Sequence, residues 1–312
     1  MSRAVGVLGG GPWGVALACA ARRAGHDVLL CTRKSDSALA ALALPTTGDV
    51  RALAKAATLI FVAVPSDVVR EVARGLGEAV DGSHYVVHGI RGLSVEGLTP
   101  ISDVIRDETP CRRVGAIGGP GVARDLTEGN LGVLAAASRF PEVTQAVREA
   151  LESPALRVSC THDLTGLEWA SALNGCLLVA VGYGRAIGAS PAVLAGLLTR
   201  GIHEASRVGV AAGAEASTFF SIAGIGDVLA AMGGDERPEV RLGVALGEGA
   251  TPDQARARAG QRVEAPAVAL QVLAYAKERR LEVPVFRTIA AAMAGTITRE
   301  EVLKGLMARD KH

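Results

Sequence analysis

The sequence predicts an N-terminal α/β domain built on a parallel sheet, followed by an all-α C-terminal domain. Three observations carry this prediction. Short apolar runs alternate with helical stretches over the first half of the chain. A glycine cluster, Gly9-Gly10-Gly11-Pro12-Trp13-Gly14, lies between the first run and the first helix. After about Thr161, leucine and alanine recur at helical spacing and β-branched runs thin out. A length of 312 residues fits about two domains, read as 1–161 and 162–312.

Each element has its own warrant. Ala4–Leu8 is a short apolar run, read as a buried strand. The glycine turn follows, then a helix from about Trp13 to Ala24 that ends at Gly25. Asp27–Cys31 is the second strand. Leu59–Val64 is the third, closed by Pro65, with a helix from about Asp67. Tyr85–Val87, Val114–Ile117, Leu131–Leu134 and Leu156–Ser159 complete the strands. Strands separated by helices imply parallel pairing with right-handed crossovers. Asp163 reads as the N-cap of a long helix starting near Leu164. Beyond it, glycine-containing turns at Ile187–Pro191, Gly213–Ser217, Gly224–Gly226 and Gly233–Pro238 separate helical blocks.

Composition excludes several classes of function. Apolar residues make up 49%, which excludes disorder. The balance of 33 basic against 32 acidic residues gives nucleic acid and anionic membranes no footprint. Aromatics at 3% are too few for a base-stacking platform. Cys19, Cys31, Cys111, Cys160 and Cys176 form no CxxC pair and read as buried thiols in a reducing compartment, so a cytoplasmic location is expected. Ala4–Ala21 is uncharged and follows Arg3, as in a signal peptide, but its glycines and Pro12 favour a strand–turn–helix. No other stretch is expected to span a bilayer. His203-Glu204 is followed by no ligand spacing, so no metal site is expected. Only five of the basic residues are lysines, and none lies between Lys55 and Lys277.

The glycine cluster matches GxGxxG in a strand–turn–helix context, the setting of a dinucleotide site in a Rossmann-type domain. Gly9 permits the tight turn, Gly11 lets the backbone approach a pyrophosphate, and Gly14 lets helix and strand pack. Unpaired N–H groups at the helix start, with Pro12 and Trp13 at its opening, face the phosphates. After the second strand stand Thr32, Arg33 and Lys34, with no acid before Asp36. Basic groups there suit a 2′-phosphate, so NADP(H) is favoured over NAD(H).

Together these segments resemble the bacterial NAD(P)-dependent glycerol-3-phosphate dehydrogenases over nearly the whole chain. GGGPWG is similar to their GxGxWG turn, and Phe61-Val62-Ala63-Val64-Pro65-Ser66 to their third strand and its proline. Gly119-Pro120 with Ala123 resembles GPSxA, and Leu198-Thr199-Arg200-Gly201 resembles ITRG. Ser221-Ile222-Ala223-Gly224-Ile225-Gly226-Asp227 resembles LAGLGD. Arg241-Leu242-Gly243 with Leu246-Gly247 resembles RFG…LG, and Gly260-Gln261-Arg262-Val263-Glu264 resembles GQxVEG. The resemblance implies a dinucleotide-binding domain plus a helical substrate domain, and a homodimer. It adds Pro65, Ala123 and Glu264 to the cofactor-binding set.

The same resemblance marks departures in the catalytic set. The family's lysine, in Ala-Leu-Lys-Asn, is matched by Asn174 in Ala172-Leu173-Asn174-Gly175. An amide donates a hydrogen bond but gives up no proton at neutral pH. The first-domain lysine is matched by Arg91 of Arg91-Gly92, the serine of GPSxA by Gly121, and a threonine past GLGD by Ala231. The phosphate-binding Arg-Asn pair is matched by Pro238-Glu239. Asp227 persists, as a site residue or as a helix N-cap. His88, three residues before Arg91 and read as following the strand, is a candidate proton donor. Arg185 falls where the family commonly has an acid and is given no role. Two functions stay open. One is an NAD(P)(H)-binding protein with a diverged substrate site, in which ordinary hydride transfer on dihydroxyacetone phosphate is lost or weak. The other is an active oxidoreductase, on a different small carbonyl or hydroxy substrate or with replaced catalytic groups.

Overall fold

A computed structural model describes residues 4–33, 37–91, 93–94, 97–234 and 237–302. The chain forms two compact units. One is Met1–Ser94 with Thr99–Glu168, and the other is Val95–Leu98 with Trp169–His312.

The first unit is built on eight strands: β1 (Ala4–Leu8), β2 (Val28–Cys31), β3 (Thr46–Thr47), β4 (Ala57–Val62), β5 (Tyr85–His88), β6 (Val114–Gly118), β7 (Gly132–Ser138) and β8 (Leu156–Thr161). Their order is β3-β2-β1-β4-β5-β6-β7-β8. The central strands are apolar on both faces because helices cover both. Adjacent residues show this: Ile60 packs in one core cluster with Leu53 and Ile105, and Phe61 in the other with Leu17 and Leu134. The chain leaves β1 towards β2 and β3, then returns to its other side with β4. That reversal is the switch point beyond whose strand C-termini open α/β sheets bind ligands.

Three sequence expectations need correction here, and one strand was missed. The sheet is not wholly parallel, because β6 and β7 run antiparallel, with Gly115 opposite Ser138. An apolar run carries no mark of direction, so composition could not reveal this. The strand expected over Leu59–Val64 starts at Ala57 and ends at Val62. The chain then passes through Pro65 into a 3-10 turn, Ser66–Val68. His88 does not follow its strand but is the last residue of β5. The two-residue β3 was too short to read.

The second unit is helical: the later part of Leu164–Ala186, then Pro191–Ala211, Ala216–Phe219, Asp227–Ala230, Pro238–Gly247, Pro252–Ala259, Ala265–Glu278 and Pro284–Ala294. Local chemistry sets the starts. Ser190 accepts from Val193 N–H, and Thr251 with Gln254 forms a capping box. Leu164–Ala186 and Pro238–Gly247 cross at backbone contact, since a Cβ at Gly182 or Gly243 would stand 2.0 Å from Val240 O or Val179 O. Leu164–Ala186 also corrects the expectation that no further stretch could span a bilayer. It is long and apolar enough, but 94% of its apolar window is buried in the fold, which is the pattern of a core helix; Ala216–Gly233 also passes by length and composition, with 39% of its window buried.

Candidate functional site

The glycine turn is shaped by contacts that leave no room for side chains. Gly9 has φ +124°, and a Cβ there would meet Ala63 O at 2.2 Å. A Cβ at Gly14 would stand 1.9 Å from Gly9 O, and one at Gly10 2.1 Å from Thr32 Oγ1. Gly11 differs. Its backbone is extended at φ −74°, and a Cβ would meet nothing within 4 Å. Neither conformation nor packing demands glycine there, and its face is open for a ligand to approach the backbone. The helix that begins at Pro12 has no side-chain cap at Gly11. Its first N–H groups and the positive end of its dipole are therefore available to an anion. A dinucleotide pyrophosphate fits this cradle.

Trp13 closes one side of the turn. A Cβ at Gly89 would stand 2.3 Å from its Nε1, and one at Gly121 3.5 Å from its Cη2. At Gly121, where the family has the serine of GPSxA, a Cβ would also meet Leu134 Cδ2 at 2.3 Å, the movable end of a leucine side chain. Trp13 Nε1 is buried and donates no hydrogen bond among the described residues. Arg33 follows β2, exposed and without an ion pair among the described residues. Lys34 lies outside the described residues, as does Gly92 beside Arg91. Pro65 leads into the 3-10 turn, and Ala123 opens the helix Ala123–Glu128.

The second unit holds a buried polar cluster. Ile222–Gly226 forms a π-helical turn, a rare geometry that recurs at functional sites. Gly224 permits it, since a Cβ there would stand 2.1 Å from Phe219 O. Asn174 Nδ2 donates to Ala223 O at 3.2 Å and Gly224 O at 2.9 Å, and lies 3.3 Å from Asp227 Oδ2. Arg237 Nη1 donates to the other oxygen, Asp227 Oδ1. Asp227 is therefore not an N-cap. It is the first helical residue after Gly226, and its carboxylate turns to Asn174 and Arg237. Sequence reasoning missed Arg237, which stands just before the Pro238-Glu239 pair. Glu239 is buried nearby: burial, and then the Glu239 charge, push the Cys176 thiol up to about 12, which makes it inert as a nucleophile.

His88 is fully buried, with Nε2 3.0 Å from Glu168 Oε1. The Glu168 carboxylate also accepts from Ser102 N–H and Ser102 Oγ, both at 2.8 Å. Sequence reasoning missed Glu168; a charged residue inside an apolar helical run was the available signal. Asp163 accepts from Gly166 N–H as an N-cap. Arg185 donates to Gly234 O. Glu264 is the residue before the helix Ala265–Glu278. The His203 ring meets Phe220 at a 60° tilt, while Glu204 accepts from Val285 and Phe286 N–H. No metal-binding group of His, Cys, Asp or Glu occurs among the described residues. The five cysteines are free thiols.

The glycine turn at the sheet's switch point defines a dinucleotide-binding protein of the NAD(P)-dependent dehydrogenase type. Residues 4–144 match the NAD-dependent glycerol-3-phosphate dehydrogenase N-terminus, and residues 163–304 match the C-terminus of the same family. Similar proteins include the glycerol-3-phosphate dehydrogenase [NAD(P)+] of Paracidovorax citrulli, 32% identical over 97% of this chain and 96% of that protein. That of Stenotrophomonas maltophilia is 31% identical over 98% and 95%. The crystal structure of glycerol-3-phosphate dehydrogenase from Coxiella burnetii superposes with a TM-score of 0.90 at 25% identity, over 99% of both chains. The chain belongs to the NAD(P)-dependent glycerol-3-phosphate dehydrogenase family.

Proposed function

We propose that this chain is an NAD(P)(H)-dependent oxidoreductase whose substrate site has been rebuilt around Asn174, Asp227 and Arg237. It acts on a small hydroxy or carbonyl compound, with NADP(H) preferred. The observation that carries the cofactor half is Gly11, open to a ligand at an uncapped helix start. Backbone N–H groups of the turn would hold the pyrophosphate, and the Arg33 cation would meet the 2′-phosphate. When bound, the nicotinamide supplies the two-electron hydride carrier. The chain's own residues bind, orient and hydrogen-bond.

Asn174 donates but does not ionise, and Arg237 is a cation that hardly ever transfers a proton. The cluster therefore polarises and orients better than it protonates. General acid catalysis is typically worth about 10²–10⁴-fold, so turnover of dihydroxyacetone phosphate falls short of a lysine-bearing relative by about that factor. His88, held by Glu168, is the chain's other candidate for moving a proton. A second reading, a cofactor-binding protein without dehydrogenase activity, is favoured by one observation: Asn174 Nδ2 is already engaged by three oxygens.

The test pairs binding with turnover. Fluorescence titration should show NADPH binding more tightly than NADH. A panel of small ketones, keto acids and their phosphorylated forms should then give NADPH oxidation on at least one compound. Absence of turnover on every compound, with NADPH still bound, selects the second reading. Absence of binding of either nucleotide overturns both.

A further inference from the structure

Two adjacent arginines close the helix Pro12–Arg23, and each reaches a different neighbour. Arg22 Nη1 donates to Leu42 O at 2.6 Å and to Ala43 O at 3.3 Å. Arg23 turns instead to the helix Ala123–Glu128, donating from Nη1 to Leu126 O and from Nη2 to Thr127 O, both at 2.9 Å. That helix has six residues, well below the roughly 12–15 at which isolated helices become marginal in water. It has no side-chain cap at Val122 and no basic residue in its last turn. Gly129 and Asn130 N–H both donate to Asp125 O, and the next two carbonyls are met by the Arg23 guanidinium. Gly129 makes room for it, since φ there is +85° and a Cβ would stand 2.8 Å from Arg23 Nε.

The other end of the short helix lies at the glycine turn. Ala123 opens it, and the segment Gly119–Val122 before it passes Trp13, where a Cβ at Gly121 would stand 3.5 Å from Trp13 Cη2. Trp13, Ala123 and Leu126 all pack in the core cluster of Leu17 and Leu134. The helix Pro12–Arg23 therefore holds its short neighbour at both ends, by Trp13 beside the turn and by Arg23 about three turns further along.

We propose that Arg23 is a positioning residue for the cofactor site: it latches the helix Ala123–Glu128 so that Gly119–Ala123 forms a fixed wall against Trp13. The proposal rests on the functional reading above, in which the glycine turn holds a nucleotide, and names a residue outside that turn on which the affinity depends. The wall adjoins the turn that would take the pyrophosphate, which NADPH and NADH share, so both nucleotides depend on Arg23 equally. Arg22, turned to Leu42 and Ala43, has no part in it.

The experiment compares Arg23→Met, Arg23→Lys and Arg22→Met in the full chain. Trp13 and Trp169 are its two tryptophans, so a Trp169→Phe background makes Trp13 the sole reporter of the wall. Arg23→Met should shift Trp13 emission to the red and speed hydrogen exchange over residues 119–128. It should also weaken NADPH and NADH binding by the same factor, roughly five-fold. Arg23→Lys, which keeps a cationic donor, should recover part of each change. Arg22→Met loses a comparable pair of carbonyl contacts and so matches any general loss of stability; it should alter none of the three readouts. Unchanged nucleotide affinity in Arg23→Met overturns the proposal, and so does an equal response of Arg22→Met. If Trp169→Phe does not fold, exchange and titration in the chain that keeps Trp169 decide by the same criteria. Failure of the unmodified chain to bind either nucleotide defeats the functional reading and this inference with it. Binding that stays intact in both the unmodified chain and Arg23→Met defeats this inference alone.

Discussion

Gly14 lies so close to Gly9 that a Cβ on the first would stand 1.9 Å from the carbonyl oxygen of the second. Gly11, between them, would meet nothing within 4 Å. The two positions therefore fail differently. Gly14→Ala should open the turn and lower thermal stability by about 1–3 kcal/mol, the usual range for overpacking. Gly11→Ala should leave the melting temperature unchanged and weaken NADPH binding at least ten-fold. Calorimetry and fluorescence titration on the same two variants separate the effects. A Gly11→Ala protein with full affinity would show that no ligand approaches that backbone.

Arg33 gives the cofactor preference a single-residue test. It is exposed at the end of β2 and carries no ion pair among the described residues. A hydrogen bond to a charged group contributes about 1.5–3 kcal/mol, so Arg33→Ser should weaken NADPH binding roughly ten- to hundred-fold. NADH, which lacks the 2′-phosphate, should bind as before. Equal losses for both nucleotides would assign Arg33 to the shared part of the cofactor instead.

These two tests act on features that the sequence displayed openly. GxGxxG is legible because its glycines have local causes: a positive φ at Gly9 and backbone contacts at Gly9 and Gly14. The strands were legible because their apolar runs are nearly continuous. The direction of β7 was not, since Gly132–Ser138 is equally apolar read either way, and pairing with β6 is a tertiary choice. The Asp227–Arg237 pair was hidden for another reason. The partners lie ten positions apart, with a short helix and a 3-10 turn, Ala231–Gly233, between them, and no periodicity brings them together. The resemblance drew the eye to Pro238 and Glu239 and past the arginine beside them.

Glu168 is the hub of a buried network in the first unit. It accepts from Ser102 N–H and Oγ and faces His88 Nε2. Glu168→Ala would strand these groups, and each buried donor left unsatisfied costs about 1–3 kcal/mol. The melting temperature should fall by roughly 6 °C or more, at about 2–4 °C per kcal/mol for a chain of this order. Glu168→Gln keeps one acceptor oxygen and should lose less than half as much. Thermal denaturation of the two variants checks the ranking, and equal losses would show that the carboxylate's hydrogen bonds are not what the site requires.

Glu204 sets a pH dependence of stability with a definite sign. Its carboxylate is buried in the helix Pro191–Ala211 and receives the N–H groups of Val285 and Phe286. Burial pushes its pKa up from 4.5 to about 7, against the opposing pull of those N–H groups. The folded chain therefore holds a proton that the unfolded chain has released between about pH 4.5 and pH 7. Where the native state binds more protons, stability falls as pH rises. The contribution is fully present below the unfolded value and is lost as pH climbs through the folded one. At 1.36 kcal/mol per pKa unit, this one group should lower stability by about 3 kcal/mol across that window. Glu204→Gln, which cannot ionise, should flatten that part of the profile. Urea unfolding of both proteins at a series of pH values measures the slopes. An unchanged slope in the variant would assign the dependence to another group, and a stability that rises with pH through Glu204 would mean that its folded pKa lies below, not above, the unfolded value.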